Sequence, residues 1–383
     1  MKNKTLNHST DKKAGVYLHI PFCRSRCSYC DFATDIYKNA EIVESYVAAL
    51  TKEIANFPHE KIVDTVYFGG GTPSLLSAKQ LERILKIVHE KFFVTDDAEI
   101  TLEMNPATVS LETLKAYKNL GVNRASFGAQ TFDDAELKRL GRKHTANDVR
   151  ETIELLRKAD FHNVSFDLIA GLPRQTVADW RRNLTEALKL QPEHLSLYIL
   201  EISEGTPLAE QIRTGRQPLP DEDAAAEMYV ILLEEVARNG FEQYEISNFA
   251  RNGFKPKHNS KYWTLDAVYG FGCSAHSFDG ADFRYSNERD TAKYVALIER
   301  ENSAVVHRET IEVASEFVFL GLRLTKGIDL KIYERRFGKN LIENYREDLQ
   351  RLEEFGLIEF DENRLRLTKK GFLFSNEVFA VFV

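Results

Sequence analysis

Short apolar runs punctuate the first two-thirds of the chain. Each is followed by a stretch in which apolar residues return every three or four positions. The runs Val16–Ile20, Thr65–Phe68, Ile100–Met104, Arg124–Phe127, Val164–Ile169 and Leu195–Leu200 read as strands. Between them, Val43, Val47, Leu50 and Ile54 share one face of a helix. Leu81, Ile84, Leu85 and Val88 share another, opened by the capping-box pattern Ser77-Ala-Lys-Gln80. A further helix, Ala224–Arg238, follows Asp221-Glu-Asp223. Strands alternating with helices imply parallel β/α units joined by right-handed crossovers. A Rossmann sheet satisfies that pattern, as does an incomplete barrel. The polar residues of chemical interest fall at the C-terminal ends of successive strands, which favours a partial (β/α)6 TIM-type barrel.

The pattern changes further along. Gly205–Pro220 reads as a loop, with prolines at 207, 218 and 220. Residues 246–309 are rich in Gly, Asn, Ser and aromatics and read as a loop-rich connecting segment. From about 310 the chain reads as three helices, Val313–Leu324, Asp329–Phe337 and Leu341–Phe355. A hairpin around Asp361-Glu-Asn363 and a last helix from Lys369 follow, giving a winged-helix-like unit. The expected organisation is a flexible segment 1–15, a barrel 16–245, the connecting segment 246–309 and the C-terminal unit 310–383.

Composition narrows the function classes. The chain has 383 residues and a formal net charge of −7. The helix expected to serve as a recognition helix carries Glu343, Glu347, Asp348, Glu353 and Glu354, the wrong sign for phosphate, so no nucleic-acid partner is expected. No apolar run reaches the length of a membrane span. The polar start of the chain resembles neither a signal peptide nor a transit peptide, so a cytoplasmic location is expected.

Cys23, Cys27 and Cys30 carry the strongest chemical signal, a C-x3-C-x2-C run directly after the first strand. Thiolates are the usual ligands of iron–sulfur clusters. Three of them leave one iron of a [4Fe–4S] cubane open to a substrate. The amine and carboxylate of S-adenosylmethionine suit that open iron. Disulfides would need an oxidising compartment, and zinc would need a fourth ligand nearby. Cys273 is remote, in an apolar context that reads as core.

Other polar groups sit at strand ends. Phe68-Gly-Gly-Gly-Thr-Pro73 would let a ligand approach the backbone and present N–H groups to it. Valine at Gly70 is expected to weaken that binding and spare the cluster. Glu103 ends the third strand and Gln130 the fourth, Arg142 lies in Gly141-Arg-Lys-His144, and Asp167 interrupts an apolar strand. A carboxylate there needs a partner, and Arg142 is a candidate.

Taken together, these motifs resemble the radical S-adenosylmethionine enzymes, and within them the oxygen-independent coproporphyrinogen III oxidase-like group. The resemblance runs through Tyr17…His19-Ile-Pro-Phe-Cys23, Gly69-Gly-Gly-Thr-Pro73, Glu103…Asn105-Pro106, Ser126-Phe-Gly-Ala-Gln130 and Asp167-Leu-Ile-Ala-Gly-Leu-Pro173. It implies a [4Fe–4S] cluster on Cys23, Cys27 and Cys30, and one or two S-adenosylmethionine molecules. Tyr17, Gly70 and Glu103 would hold the first; Tyr29, Gly71, Thr72, Gln130, Arg142 and Asp167 would hold the second.

Two features depart from the oxidases. Phe32 stands where they carry a further cysteine, and only about fifteen residues precede Val16. The chain instead carries His258-Asn-Ser-Lys-Tyr-Trp263. That H-N-x-x-Y-W pattern is similar to the heme chaperone branch of the group, which delivers heme to respiratory proteins. His258 is then a candidate axial ligand, with Tyr262 and Trp263 packing on the macrocycle in a loop folded over the open site. A loop histidine that only hydrogen-bonds is the alternative, and His276 is a rival ligand. The expected partners are heme and heme-acceptor proteins of the respiratory chain, with peripheral membrane contact and a homodimer as open possibilities. Coproporphyrinogen oxidase activity is not expected, and whether S-adenosylmethionine is cleaved stays open. The competing functions are the oxidase itself, a radical methyltransferase or heme-degrading relative, and a winged-helix regulator with a sensory cluster.

Overall fold

The computed structural model describes residues 13–382. Most of the expected flexible segment, residues 1–12, lies outside the described residues. Twelve strands form one sheet. They are β1 (Ala14–Ile20), β2 (Ile62–Gly70), β3 (Phe93–Met104), β4 (Arg124–Gln130), β5 (Val164–Ala170) and β6 (His194–Ile199). Beyond them come β7 (Glu242–Glu245), β8 (Asn248–Ala250), β9 (Val268–Phe271), β10 (His276–Phe278), β11 (Phe283–Asn287) and β12 (Val305–Thr310). The order is β12-β11-β10-β9-β1-β2-β3-β4-β5-β6-β8-β7. From β9 to β6 every neighbour is parallel; both flanks are antiparallel. The order has two ends, so the barrel is open.

The six strands read from the sequence all form. Their apolar positions (Val16, Leu18, Val66, Phe68, Leu102, Phe127, Phe166 and Leu195 among them) face the surrounding helices in one core. Helix Ala40–Asn56 buries Val43, Val47, Leu50 and Ile54; helix Ala78–Lys91 buries Leu81, Ile84, Leu85 and Val88, with the Ser77–Gln80 capping box in place.

Residues 246–309 differ from the expected loops. They hold β8 to β12 and the helices Lys257–Trp263 and Thr291–Glu301. Strands of three to six residues are too short for a clear period. The glycines that suggested loops sit at close backbone approaches instead: a Cβ on Gly270 would collide with the His276 carbonyl. Gly205–Pro220 likewise contains a helix, Pro207–Arg213, with Pro207 in its first turn, where a missing N–H costs nothing.

The C-terminal residues pack around a second core that includes Val318, Leu322, Tyr333, Leu349, Leu352 and Leu365. A three-stranded sheet of Ile328–Asp329, Ile358–Phe360 and Arg364–Leu367 forms the wing. The third expected helix breaks at Tyr345 into Leu341–Asn344 and Arg346–Glu354. Among the described residues no helix is long and apolar enough to cross a membrane.

Candidate functional site at the barrel mouth

Alternate residues of the parallel strands point into the barrel, and there they are polar. Tyr17, Thr65, Tyr67, Thr101, Glu103, Arg124, Ser126, Ser165, Asp167, His194 and Ser196 occupy positions between the apolar ones that face the helices. Tyr198 shows how open the interior is. It retains 42% of its surface, yet burial raises its pKa. The charges of Asp167 and Glu103 act on its hydroxyl.

The cysteines lie on a loop at the C-terminal end of β1. Cys23 ends a two-residue strand, Phe22–Cys23, that pairs with Asp35–Ile36. Neighbouring elements pin the loop: Ser28 N–H donates to the Leu140 carbonyl (2.8 Å) and Leu208 N–H to the Ser28 carbonyl (2.8 Å). Arg289 reaches the Asp31 carbonyl (2.6 Å), and His19 Nε2 lies 2.9 Å from the Ala33 carbonyl. All three cysteines are half-buried and free. The Thr72 hydroxyl donates to Cys23 Sγ and the Arg142 guanidinium to Cys27 Sγ, each at 3.5 Å. Burial pushes the Cys23 thiol up to about 11 and raises Cys30. Donors aimed at sulfur suit metal-bound thiolates, which only accept. Among the described residues no three His, Cys, Asp or Glu side chains converge on a single ion. A cubane does not ask for that, because each thiolate takes a different iron. The donor set therefore fits a cluster. Cys273 is fully buried against Tyr46 and Thr291, behind the loop rather than on it.

Glu103 is the central carboxylate. Its Oε1 accepts from the Tyr67 hydroxyl (2.5 Å) and its Oε2 from Gly70 N–H (3.1 Å). Burial pushes it up to about 7, against the lowering effect of those donors. The glycine loop is less free than its sequence suggested. Gly70 N–H serves Glu103 and Gly71 N–H serves the Ile20 carbonyl (2.8 Å), so neither amide is open to a ligand. Gly70 has φ +106°, and a Cβ there would sit 2.5 Å from the His19 ring. Gly71 packs against the backbone of Pro21 and Phe22. On this geometry valine at Gly70 would also press on His19, which holds the cysteine loop through Ala33. Tyr17 lies one layer deeper, its hydroxyl 3.2 Å from His19 Nδ1.

On the β4–β6 side, Gln130 ends its strand at φ +67°, a left-handed conformation unusual for glutamine. Arg142 donates to Asn105 Oδ1 (3.0 Å) and to the Gly128 carbonyl. No hydrogen bond joins Arg142 to Asp167, whose carboxyl is pushed by burial up to about 6 against the lowering effects of Ser196, Arg124 and Arg142. Tyr29 is raised chiefly by burial, and Arg142 is its strongest charged neighbour. These residues therefore share the barrel mouth with the cysteines. The sequence reading did not assign roles to His19, Tyr67, Asn105 and Arg124; their signal was the alternation of polar side chains within the strands.

The His258–Trp263 motif lies elsewhere than expected. It forms a helix, Lys257–Trp263, packed against the N-terminal end of the barrel, opposite the cysteines. The Lys257 and His258 amides donate to the Glu99 carboxylate at 2.9 and 3.0 Å. Lys261 pairs with Asp64 at 2.7 Å. Gly15 leaves the space, since a Cβ there would lie 3.2 Å from the His258 ring. His258 is 1% exposed. Its Nδ1 lies 2.9 Å from Thr65 Oγ1 and its Nε2 3.2 Å from the Tyr262 hydroxyl, so both nitrogens are engaged. Burial pushes it down to about 3. Tyr262 is exposed, and Trp263 carries the Arg323 guanidinium 4.4 Å above its ring. His258 and Tyr262 are thus each other's partners, and Trp263 packs on Arg323. The rival His276, on β10, is exposed.

Residues 17–187 match the Radical SAM superfamily and residues 309–374 the HemN C-terminal domain. Membership of that superfamily implies a [4Fe–4S] cluster and S-adenosylmethionine. The solved structure of coproporphyrinogen III oxidase (HemN) from Escherichia coli has the same fold, with a TM-score of 0.85 over 97% of this chain and 90% of that one at 23% identity. The chain is 38% identical to the heme chaperone HemW of Bacillus subtilis, over 96% of this chain and 98% of the relative. It is 37% identical to the HemW of Lactococcus lactis, over 97% and 98%. It is also 36% identical to the mitochondrial radical S-adenosyl methionine domain-containing protein 1 of Mus musculus, over 84% and 75%. Near-complete coverage in both directions, at identities well above those at which only the fold is shared, makes this chain a member of the HemW family within the radical S-adenosylmethionine superfamily.

Proposed function

We propose that this chain is a heme chaperone of the radical S-adenosylmethionine type, which binds heme and hands it to acceptor proteins of the respiratory chain. The observation that carries the reading is near-full-length similarity to relatives named heme chaperone HemW. The barrel mouth supports it with three sulfurs on one pinned loop and no fourth nearby.

Cys23, Cys27 and Cys30 would hold the [4Fe–4S] cluster, with Thr72 and Arg142 donating to the sulfurs. Tyr17, Gly70 and Glu103 would border one S-adenosylmethionine. Tyr29, Gly71, Thr72, Gln130, Arg142 and Asp167 would border a second. When bound, a reduced cluster would be the source of an electron for a sulfonium held beside it. The chain's own residues orient and shield that chemistry. His19 fixes the loop through Ala33. Glu103 sits ready to accept from an ammonium or a ribose hydroxyl. Asp167 and Arg142 set the charge across the mouth. For heme, Tyr262 is the most exposed of the three motif side chains singled out above, and His276 is an exposed histidine on β10. A reducing, cytoplasm-like compartment suits an accessible cluster.

Anaerobically reconstituted protein is to be mixed separately with heme and with coproporphyrinogen III. The expected result is heme that co-elutes with the chain, with no protoporphyrinogen IX formed. Robust decarboxylation of coproporphyrinogen III would overturn the chaperone reading in favour of the oxidase.

A further inference from the structure

We propose that Arg124, with Thr101 beside it, forms a carboxylate subsite on the inner wall of the barrel that takes a propionate of the porphyrin ligand. The identity of the ligand rests on the heme reading above; the subsite rests on the wall itself.

Arg124 opens β4 on the face that points inward, while its neighbours Ala125 and Phe127 face the helices. It is 1% exposed. Its Nε and Nη1 are enclosed, and among the described residues neither has a hydrogen-bond partner. Thr101 is its register partner on β3, fully buried, and its hydroxyl is also enclosed and unpartnered. Two adjacent strands thus present an unpaired cation and an unpaired hydroxyl at one level of the wall.

The nearest interior carboxyls do not answer that need. The charge of Arg124 acts on Glu103 and Asp167, but no ion pair joins it to either among the described residues, and Glu103 spends its oxygens on Tyr67 and Gly70. Burial also holds both carboxyls toward their neutral forms. The histidines at the same depth, His194 and His258, feel Arg124 only as a repelling charge. A guanidinium enclosed without an anion is costly, and water supplies polarity without charge. A carboxylate supplies both: two acceptor oxygens match the fork of an arginine, with the hydroxyl as a third donor. Tyr198 and Tyr262 keep 42% and 38% of their surface, and the charge of Glu103 acts on both hydroxyls, so exposed surface borders the interior carboxylate.

The test uses the full chain, its Arg124→Met variant, and Thr101→Val as a milder change of nearly the same shape. Without ligand, Arg124→Met should be at least as stable to urea as the parent, because it removes an unpaired buried charge. A structural arginine would give a clear loss of stability, and that result would overturn the proposal. Binding is then compared between hemin and hemin dimethyl ester, whose propionates are blocked. The parent should favour the free acid by about tenfold or more, the scale of one charge-assisted contact. Arg124→Met should erase the preference and Thr101→Val should reduce it. An equal preference in parent and Arg124→Met would overturn the subsite while leaving heme binding intact. If the parent binds neither form, the heme reading fails. Sodium propionate then decides: a rise in the parent's urea midpoint that Arg124→Met lacks retains a site for small carboxylates, and no rise overturns it. A rise matched by sodium chloride marks a general anion effect and also overturns it.

Discussion

The His258 ring stacks on the Tyr67 ring with 5.0 Å between centroids and 25° between planes. Tyr67 in turn donates to Glu103. The H-N-x-x-Y-W helix at one end of the barrel is thereby joined, through a single tyrosine, to the carboxylate at the other. His258→Ala should destabilise the apoprotein by about 2–4 kcal/mol, the range for emptying a buried, hydrogen-bonded ring site. It should not move the Soret band of the heme that still binds, since both imidazole nitrogens are engaged within the protein. A shifted Soret band at unchanged urea stability would make His258 a heme ligand after all.

Each cysteine of the loop should be separately required. Alanine at Cys23, Cys27 or Cys30 should reduce reconstituted iron and sulfide to near background, because two thiolates cannot hold the cubane with one open iron. Cys273→Ala should keep the cluster and cost about 1 kcal/mol for the lost packing of a small buried side chain. Iron content and the absorbance of the reconstituted cluster provide the readout; retention by any of the three loop variants would remove that residue from the ligand set.

The contrast between these two cases explains what the sequence made legible. The cysteine run and the helix faces are local patterns, so spacing alone was enough to read them. His258 was misplaced because its position depends on contacts with Thr65, Tyr67 and Glu99, far away in sequence. A short helix between two glycine-containing stretches reads as a loop until that packing is seen. The glycine loop was half legible. Gly70 does take a left-handed backbone, but the N–H groups expected to face a ligand are used by Glu103 and Ile20, long-range partners that no local pattern records. Arg124 was hidden for a related reason. It was read as part of an apolar strand, whereas its strand alternates core-facing and cavity-facing positions.

Gly70→Ala should affect both fold and cluster. The left-handed backbone at φ +106° is costly for alanine, and the new methyl group would meet the His19 ring. The expected loss is about 1–3 kcal/mol in urea. Because His19 also holds the Ala33 carbonyl behind the cysteines, iron retention during anaerobic gel filtration should fall as well. Full stability together with full iron content would show that the His19 ring does not constrain this turn.

Glu53 gives the fold a pH dependence that is separable from the barrel mouth. It lies half-buried on helix Ala40–Asn56 and accepts from Gly272 N–H (2.8 Å), Asn287 Nδ2 (2.7 Å) and the Tyr294 hydroxyl (2.6 Å). Burial outweighs these donors and pushes the carboxyl up to about 7. The unfolded chain releases this proton near the ordinary glutamate value, so between the two values the folded state binds more protons than the unfolded state. Stability from this group is therefore complete at low pH and is lost as pH rises through about 7. The buried histidines His19, His144, His194 and His258, whose pKa values are lowered, act in the opposite sense, and because unfolded imidazoles are still about half-protonated near pH 6.5 they act up to about pH 7.5. The Glu53 contribution is therefore read as the difference between the parent and Glu53→Gln, in which the histidines and Glu103 cancel. From about pH 6.5 to 8 the parent should lose roughly 1 kcal/mol relative to the variant. Any effect of the new amide beside Asn287 on absolute stability drops out of that pH dependence. Urea midpoints measured at intervals through this range decide the matter, and a variant with the parent's full slope would show that Glu53 is ionised throughout.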